Sequence, residues 1–224
     1  MKGRWILGTL ERKEKEKEIR RNDIIDAAEK VFFSKGFDVA TMDDVAKEAE
    51  FSKRTIYVYF NSKHQIYFEI MIRGYKILID MMENGIQYND NPLDKIKGMG
   101  KTLYEFSQKY NYYFRSIIDY ENGELDFANG ISDKSREECY ELGEKIFNNL
   151  AVALSSGIEQ GAIRRDLDVV STAIILWSSV IGIFNTLYRK RNYIMNYHKR
   201  DSDKLILNGF DLLIKSIENG GSSR

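Results

Sequence analysis

An all-helical chain is what this sequence predicts, and three observations predict it. There is one proline in 224 residues, the apolar residues recur at helical rather than strand spacing, and helix-capping residues recur along the chain. The expected architecture is all-α: a three-helix N-terminal head followed by a C-terminal helical bundle that forms a homodimer. Residues 1–18 are read as a charged arm, 19–68 as the head, 69–219 as the bundle and 220–224 as a flexible tail.

Each element has a local reason. Glu11–Arg21 alternates Lys or Arg with Glu, the pattern of a solvated helix or frayed arm, and its bases also suit a DNA backbone. Ile24, Ala28, Val31 and Phe32 make a helical stripe that ends near Gly36. Thr41 followed by Asp44 has capping-box spacing and opens a helix over Met42–Ala49, with Val45, Ala46 and Ala49 on its inner side. After the Glu50-Phe51 turn, Ser52 is positioned to cap a helix from Lys53 to about Phe60. Ile56 and Phe60, four apart, share its inner face. Ser62 with Gln65 caps a longer helix, in which Ile66, Ile70, Ile77 and Met81 keep helical spacing to about Glu83.

Asn84–Asn91 is the clearest break, and Asn91-Pro92 reads as an N-cap with proline at the first helical position. Ile96, Met99, Leu103, Phe106 and Tyr110 form the next stripe, followed by the run Tyr112-Tyr113-Phe114 and Ile117. Glu121–Asp133 is polar and reads as a loop. Tyr140, Ile146, Phe147, Leu150, Leu154 and Ile158 belong to a helix that stops at Gly161. Val169–Arg191 is apolar on nearly every side and must be covered all round. With the last helix, about Ser202–Asn219, it predicts an isologous four-helix interface between two chains, formed by residues 166–191 and 202–219.

The charges at the head's helix starts carry the functional signal. Acids suit the start at Thr41, but Lys53 and Arg54 follow the Ser52 cap, and Lys63 and His64 follow Ser62. Cations there cost about 0.3–1 kcal/mol each when nothing negative is near, and no Asp or Glu lies between Glu50 and Glu69. The economical explanation is an external anion, with a phosphate backbone as the best fit; the bland alternative is a solvated basic turn. Two short helices joined by a tight turn are a helix-turn-helix, whose second helix enters the major groove by its N-terminal residues. Lys53 and Arg54 can donate to guanine edges, and Thr55 can meet a thymine methyl or a phosphate. The hydroxyls of Tyr57 and Tyr59, with Lys63, suit phosphate oxygens. By spacing alone Tyr57 could equally pack inward.

The run Asp44-Val-Ala-Lys-Glu-Ala, then Ser52-Lys-Arg-Thr-Ile-Tyr-Val-Tyr-Phe-Asn-Ser-Lys63, resembles the DNA-binding domain of the tetracycline-repressor (TetR) family. Ile24–Phe37 is similar to that family's first helix and following turn. The resemblance covers about residues 20–70. It implies a homodimer on palindromic operator DNA that represses transcription until a small ligand binds the other domain. By position, Thr41, Tyr59 and Lys63 match usual phosphate contacts, and Lys53, Arg54, Thr55 and Tyr57 match the groove-facing helix. Glu50 departs from the glycine often found in the turn, so a non-glycine residue is expected at positive φ.

Composition narrows the rest. Thirty-four basic and thirty-four acidic residues give zero net charge, so DNA affinity must come from a local patch and from two copies of it. The one cysteine, Cys139, excludes an intramolecular disulfide, reads as a small buried apolar residue, and points to a reducing cytoplasm. No export core is evident, and Val169–Phe184, interrupted by serines and a glycine, reads as a buried helix rather than a membrane span. Catalysis is disfavoured: Gly100-Lys101-Thr102 has Lys95 where a phosphate loop's first glycine should stand, and neither His64 nor His198 has a partner at metal spacing. No cofactor or metal is expected. If, as the family implies, the bundle holds a small-molecule pocket, the candidates are Tyr75, Leu78, Met82, Leu103, Phe106, Tyr110, Phe114, Ile117 and Trp177. Such a lining suits an apolar or flat aromatic effector. The alternative is a constitutive DNA-binding protein whose C-terminal region only dimerises.

Overall fold

Ten helices follow one another in the described part of the chain. They are α1 (Lys2–Lys35), α2 (Met42–Glu48), α3 (Lys53–Tyr59), α4 (Lys63–Gly85), α5 (Pro92–Lys109), α6 (Asn111–Glu121), α7 (Lys134–Glu159), α8 (Val169–Arg189), α9 (Arg191–His198) and α10 (Ser202–Ile217). The computed structural model describes the backbone of residues 2–85, 91–121 and 134–220, and the side chains of 11–85, 91–120 and 134–220. The expected loop over Glu121–Asp133, most of the break at Asn84–Asn91 and the tail beyond Gly220 lie outside the described residues.

The chain divides into two units. The first takes in Met1–Arg73 with Ile131–Cys139, and the second Gly74–Gly130 with Tyr140–Arg224. In the first, α1 is one continuous helix from the arm into the core, so the arm joins the head with no break. It stops at Gly36, whose φ of +83° suits glycine and whose N–H donates to Phe32 O at 2.9 Å. Thr41 caps α2 through a complete capping box with Asp44, an arrangement worth about 0.5–2 kcal/mol. The α2–α3 turn places Glu50 at φ +56°, the positive-φ conformation expected of a non-glycine residue there. Ser52 accepts from Thr55 N and caps α3. Ser62 accepts from Gln65 N, while the Gln65 side chain reaches one residue further back than a capping box requires, to Asn61 N. Ile24, Ile25, Ala28, Val45, Ile56, Phe60, Ile66 and Ile70 form the interior of this unit, none more than 1 % exposed.

Two ionic contacts bind α4 to α1 within it. Arg73 donates to Asp26 and Glu29 at 2.6 and 2.9 Å, and Arg21 donates to Glu69. The Arg73 contacts hold its pKa up against the opposing effect of burial.

In the second unit, Asn91 caps α5 through Leu93 N, with Pro92 in the first turn. α10 packs against α5 and α8, and a series of ring contacts Phe106–Phe114–Phe184–Phe210, the first two edge-to-face and the last tilted, runs through the interior, with centroids 6.4, 4.8 and 6.0 Å apart. Asn219 N donates to Ala162 O and Arg164 N to Ile217 O, so the segment after α7 is stapled to the end of α10. The stretch read as one helix to Arg191 instead ends at Arg189. Lys190 leaves helical geometry and α9 begins, closing at Lys199 with φ +54°. No helix is expected at α9 from its residues, because only Ile194 among them is buried and no apolar stripe marks it.

α8 buries Thr172, Ala173, Leu176, Ile181 and Phe184, but Val170, Ile174 and Ile175 are 51–63 % exposed. Among the described residues it is the one helix long and apolar enough to cross a membrane, although its buried face is that of a core helix. Replacing Phe106, which is fully buried, with Ala is expected to cost about 3–5 kcal/mol; chemical unfolding monitored by far-UV circular dichroism checks this.

Candidate nucleic-acid interface and ligand pocket

The outer face of the head is assembled from α2, α3 and the start of α4. Its inward residues, Val45, Ala46, Ile56 and Phe60, are buried, with α2 packed on α1 and α3 on α2, leaving Lys53, Arg54, Tyr57 and Val58 exposed. Tyr57 is 46 % exposed, so it stands outside rather than in the core. Thr55 and Tyr59 are half-buried at the edge of the same face.

Several polar groups on this face are already engaged. Thr41 Oγ1 donates to Asp44 Oδ2 at 2.8 Å while accepting from Asp44 N. The Thr55 and Ser52 hydroxyls lie 2.8 Å apart in a hydrogen bond. Lys53 Nζ donates to Asp43 Oδ2 at 2.9 Å, so the cation at the α3 start has an acidic partner from α2, which raises its pKa. Lys63 departs furthest from expectation. Its ammonium donates to the carbonyls of Phe37, Ala40 and Asp38 at 2.6, 2.9 and 3.3 Å and lies over the Phe37 ring at 4.3 Å. The long side chain reaches back to the turn after α1, where carbonyls lack helical partners, instead of pointing outward.

The expectation that both helix starts lack any negative partner inside the chain is therefore corrected: α2 supplies one, and backbone carbonyls supply the other. Asp43 was in plain view at the α2 start, but sequence spacing does not bring it opposite Lys53; only the turn geometry does. Arg54 is exposed and Tyr59 half-buried, and neither has a hydrogen bond or ion pair among the described residues. His64 packs edge-on against Phe37.

The second unit holds a pocket of about 600 Å³, counting its solvent-open side. Met82, Leu103 and Trp177, three of the expected ligand residues, line it together with Ile96, Met99, Ile146, Leu150, Leu176, Phe210 and others from α5, α7, α8 and α10. The other six candidates sit elsewhere. Tyr75, Leu78, Phe106, Phe114 and Ile117 are closed into the interior at 5 % exposure or less, and the Tyr110 ring lies tilted against Phe106, 5.7 Å between centroids. Large aromatic side chains at helical spacing fill the bundle rather than wall a void. The missed wall residues Ile96, Met99, Leu150 and Leu176 were visible as helical stripes, but α10's contribution depends on long-range packing. Lys97 is the one charged residue of the lining, paired with Asp211 at 2.7 Å.

Residues 24–70 match the family model described as bacterial regulatory proteins, tetR family. The chain is 33 % identical over 101 residues to the biofilm operon icaADBC HTH-type negative transcriptional regulator IcaR of Staphylococcus aureus, a match covering 45 % of this chain and 47 % of that one. The chain thus spans about half the length of the first curated relatives it matches. It is 24 % identical over 206 residues to the fatty acid metabolism regulator protein of Bacillus subtilis, covering 92 % of this chain and 99 % of that one. The solved structure of the transcriptional regulator FadR from Bacillus subtilis, in complex with stearoyl-CoA, superposes with a TM-score of 0.64 at 23 % identity. That superposition covers 88 % of this chain and 98 % of the other, a likeness of fold.

Two outcomes test the head's geometry. Asp44, held at a pKa of about 2 by Lys35 and Thr41, has a folded value below its unfolded one. Its contribution is thus full above about pH 4 and lost as pH falls toward 2; Asp44→Asn is expected to flatten the pH dependence of head unfolding in that window. Lys63→Ala is expected to destabilise the head by about 1–3 kcal/mol through three unsatisfied carbonyls. Unchanged stability, with the salt slope of DNA binding reduced by about one, would instead assign Lys63 to a phosphate.

Proposed function

We propose that the chain is a cytoplasmic repressor of the TetR type, a reading supported by the match of residues 24–70 to that family's model. In this reading it binds palindromic operator DNA as a homodimer and is released when a lipophilic ligand enters the bundle. The observation that carries the DNA reading is the outer face of α3: a Ser52-capped helix with Arg54 unpaired, Tyr57 exposed and Tyr59 without a hydrogen bond, on a core that fixes its orientation. Arg54 reads a base edge, while Tyr57 and Tyr59 meet phosphates. Lys53 either keeps Asp43 or exchanges it for the groove, at the small cost of an exposed ion pair.

Dimerisation is supported by the apolar side chains of α8 and α10 that one chain leaves uncovered, Val170, Ile174, Ile175, Leu207 and Leu212. A second copy would cover them as a four-helix contact. The ligand reading is supported by a pocket apolar except for Lys97. FadR of Bacillus subtilis was solved with stearoyl-CoA, and the same chemistry, an acyl chain on coenzyme A, suits this lining. The chain would occupy the apolar volume, leaving the polar remainder towards solvent.

Arg54→Ala is expected to cost about 1–3 kcal/mol on a cognate duplex and much less on random sequence; equal losses on both would move Arg54 to the backbone. Dodecanoyl-CoA is expected to raise the melting temperature and release bound duplex, measured by thermal shift and fluorescence anisotropy. A chain neither stabilised nor released by acyl thioesters of any chain length would favour the constitutive reading. Ile174→Lys is expected to yield monomers in sedimentation, with duplex affinity reduced accordingly; a variant still dimeric would remove α8 from the interface.

A further inference from the structure

Glu69 of α4 is the meeting point of three helices. Its carboxylate takes the Arg21 guanidinium of α1 at 2.5 and 3.0 Å, and it also accepts from the hydroxyl of Ser135 in the first turn of α7. Ser135 is buried, and one turn further on Cys139 Sγ donates to Phe68 O at 3.3 Å, so the start of α7 is fastened to α4 twice. On its other side Arg21 lies over the Phe60 ring, 5.0 Å from its centroid. Phe60 is the C-cap of α3; its N–H donates to Ile56 O at 2.9 Å and its ring is 1 % exposed. An unbroken series of contacts therefore runs from the first turn of α7, through Glu69 and Arg21, to the residue that ends the reading helix. Glu69 is only 14 % exposed, so this carboxylate is less screened than that of a surface pair.

The same helix α7 carries Ile146 and Leu150 into the pocket wall. α7 is one helix from Lys134 to Glu159. We propose that Ser135, Glu69 and Arg21 are positioning residues that couple the ligand pocket to α3, with α7 as the rod that moves them. A ligand favouring one setting of α7 alters the Ser135 hold on Glu69. Arg21 then re-seats against Phe60, and α3 is held less firmly for the groove. Only a ligand that distinguishes the two settings can do this. What drives the rod rests on the proposed effector; the relay itself does not.

Hydrogen exchange on the full-length protein tests it, read at the Tyr59 and Phe60 amides with α10 amides as the internal reference. Ser135→Ala and Arg21→Met are each expected to speed exchange at α3 by roughly two- to thirtyfold, the range that energetic coupling between linked sites gives. The double variant is expected to exchange no faster than Arg21→Met alone. Ser135→Thr, which keeps a hydroxyl, is expected to restore the wild-type rate, and Glu69→Gln, which keeps an acceptor for Ser135, to act only in part. Wild-type exchange in Ser135→Ala, or the same acceleration from it in the Arg21→Met background, overturns the relay. Dodecanoyl-CoA is then added to wild type and to Ser135→Ala. A shift at Phe60 in wild type alone supports the proposal, and bound ligand with no shift in wild type overturns it. If dodecanoyl-CoA produces no thermal shift at all, the proposed effector class falls, while the variant exchange pattern still decides the relay.

Discussion

Everything on the outer face of the head depends on how α4 is anchored. Its first residue, Lys63, drives an ammonium into the carbonyls of the 37–40 turn, and Arg73 and Glu69 bind its flank to α1. Ile56 and Phe60 of α3 are buried in the head's interior, so α3 takes one orientation without needing its own length to be stable. A seven-residue helix is far below what persists alone in water. Its order is borrowed from the packing beneath it, together with the Ser52 cap.

That anchorage also supplies a partner for one of the cations that the sequence sets at the helix starts. Cations crowd the starts of α3 and α4, and such charges do require partners. Lys53 finds Asp43, and Lys63 finds three backbone oxygens. Arg54 is left without a hydrogen bond or ion pair among the described residues. With zero net charge over the chain, any attraction to a polyanion must be local.

The caps and short-range periodicities were legible because they depend on residues three or four apart. Thr41 with Asp44 is of this kind, the Ser52 cap and Asn91 with Pro92 are equally local, and the positive φ of Glu50 was expected from the family resemblance instead. Contacts between distant segments were not. Nothing in the spacing brings Ser135 to Glu69, or Phe210 to the pocket that Leu103 lines. The aromatic residues Phe106 and Phe114 are buried in the interior, and spacing does not reveal which role a ring takes: it looks the same in sequence whether it walls a cavity or fills the core. α9 escaped notice because its exposed Tyr193, Met195 and Tyr197 leave it with hardly any buried side.

The central claim is that α3 presents one ordered reading face which the chain uses as a two-fold pair. Repeated selection of bound duplexes from a random pool tests it most directly. The account predicts enrichment of an inverted repeat with half-site centres about 34–36 Å apart, or further by whole helical turns. Recovery of unrelated sequences, or of none under dilute salt, contradicts it.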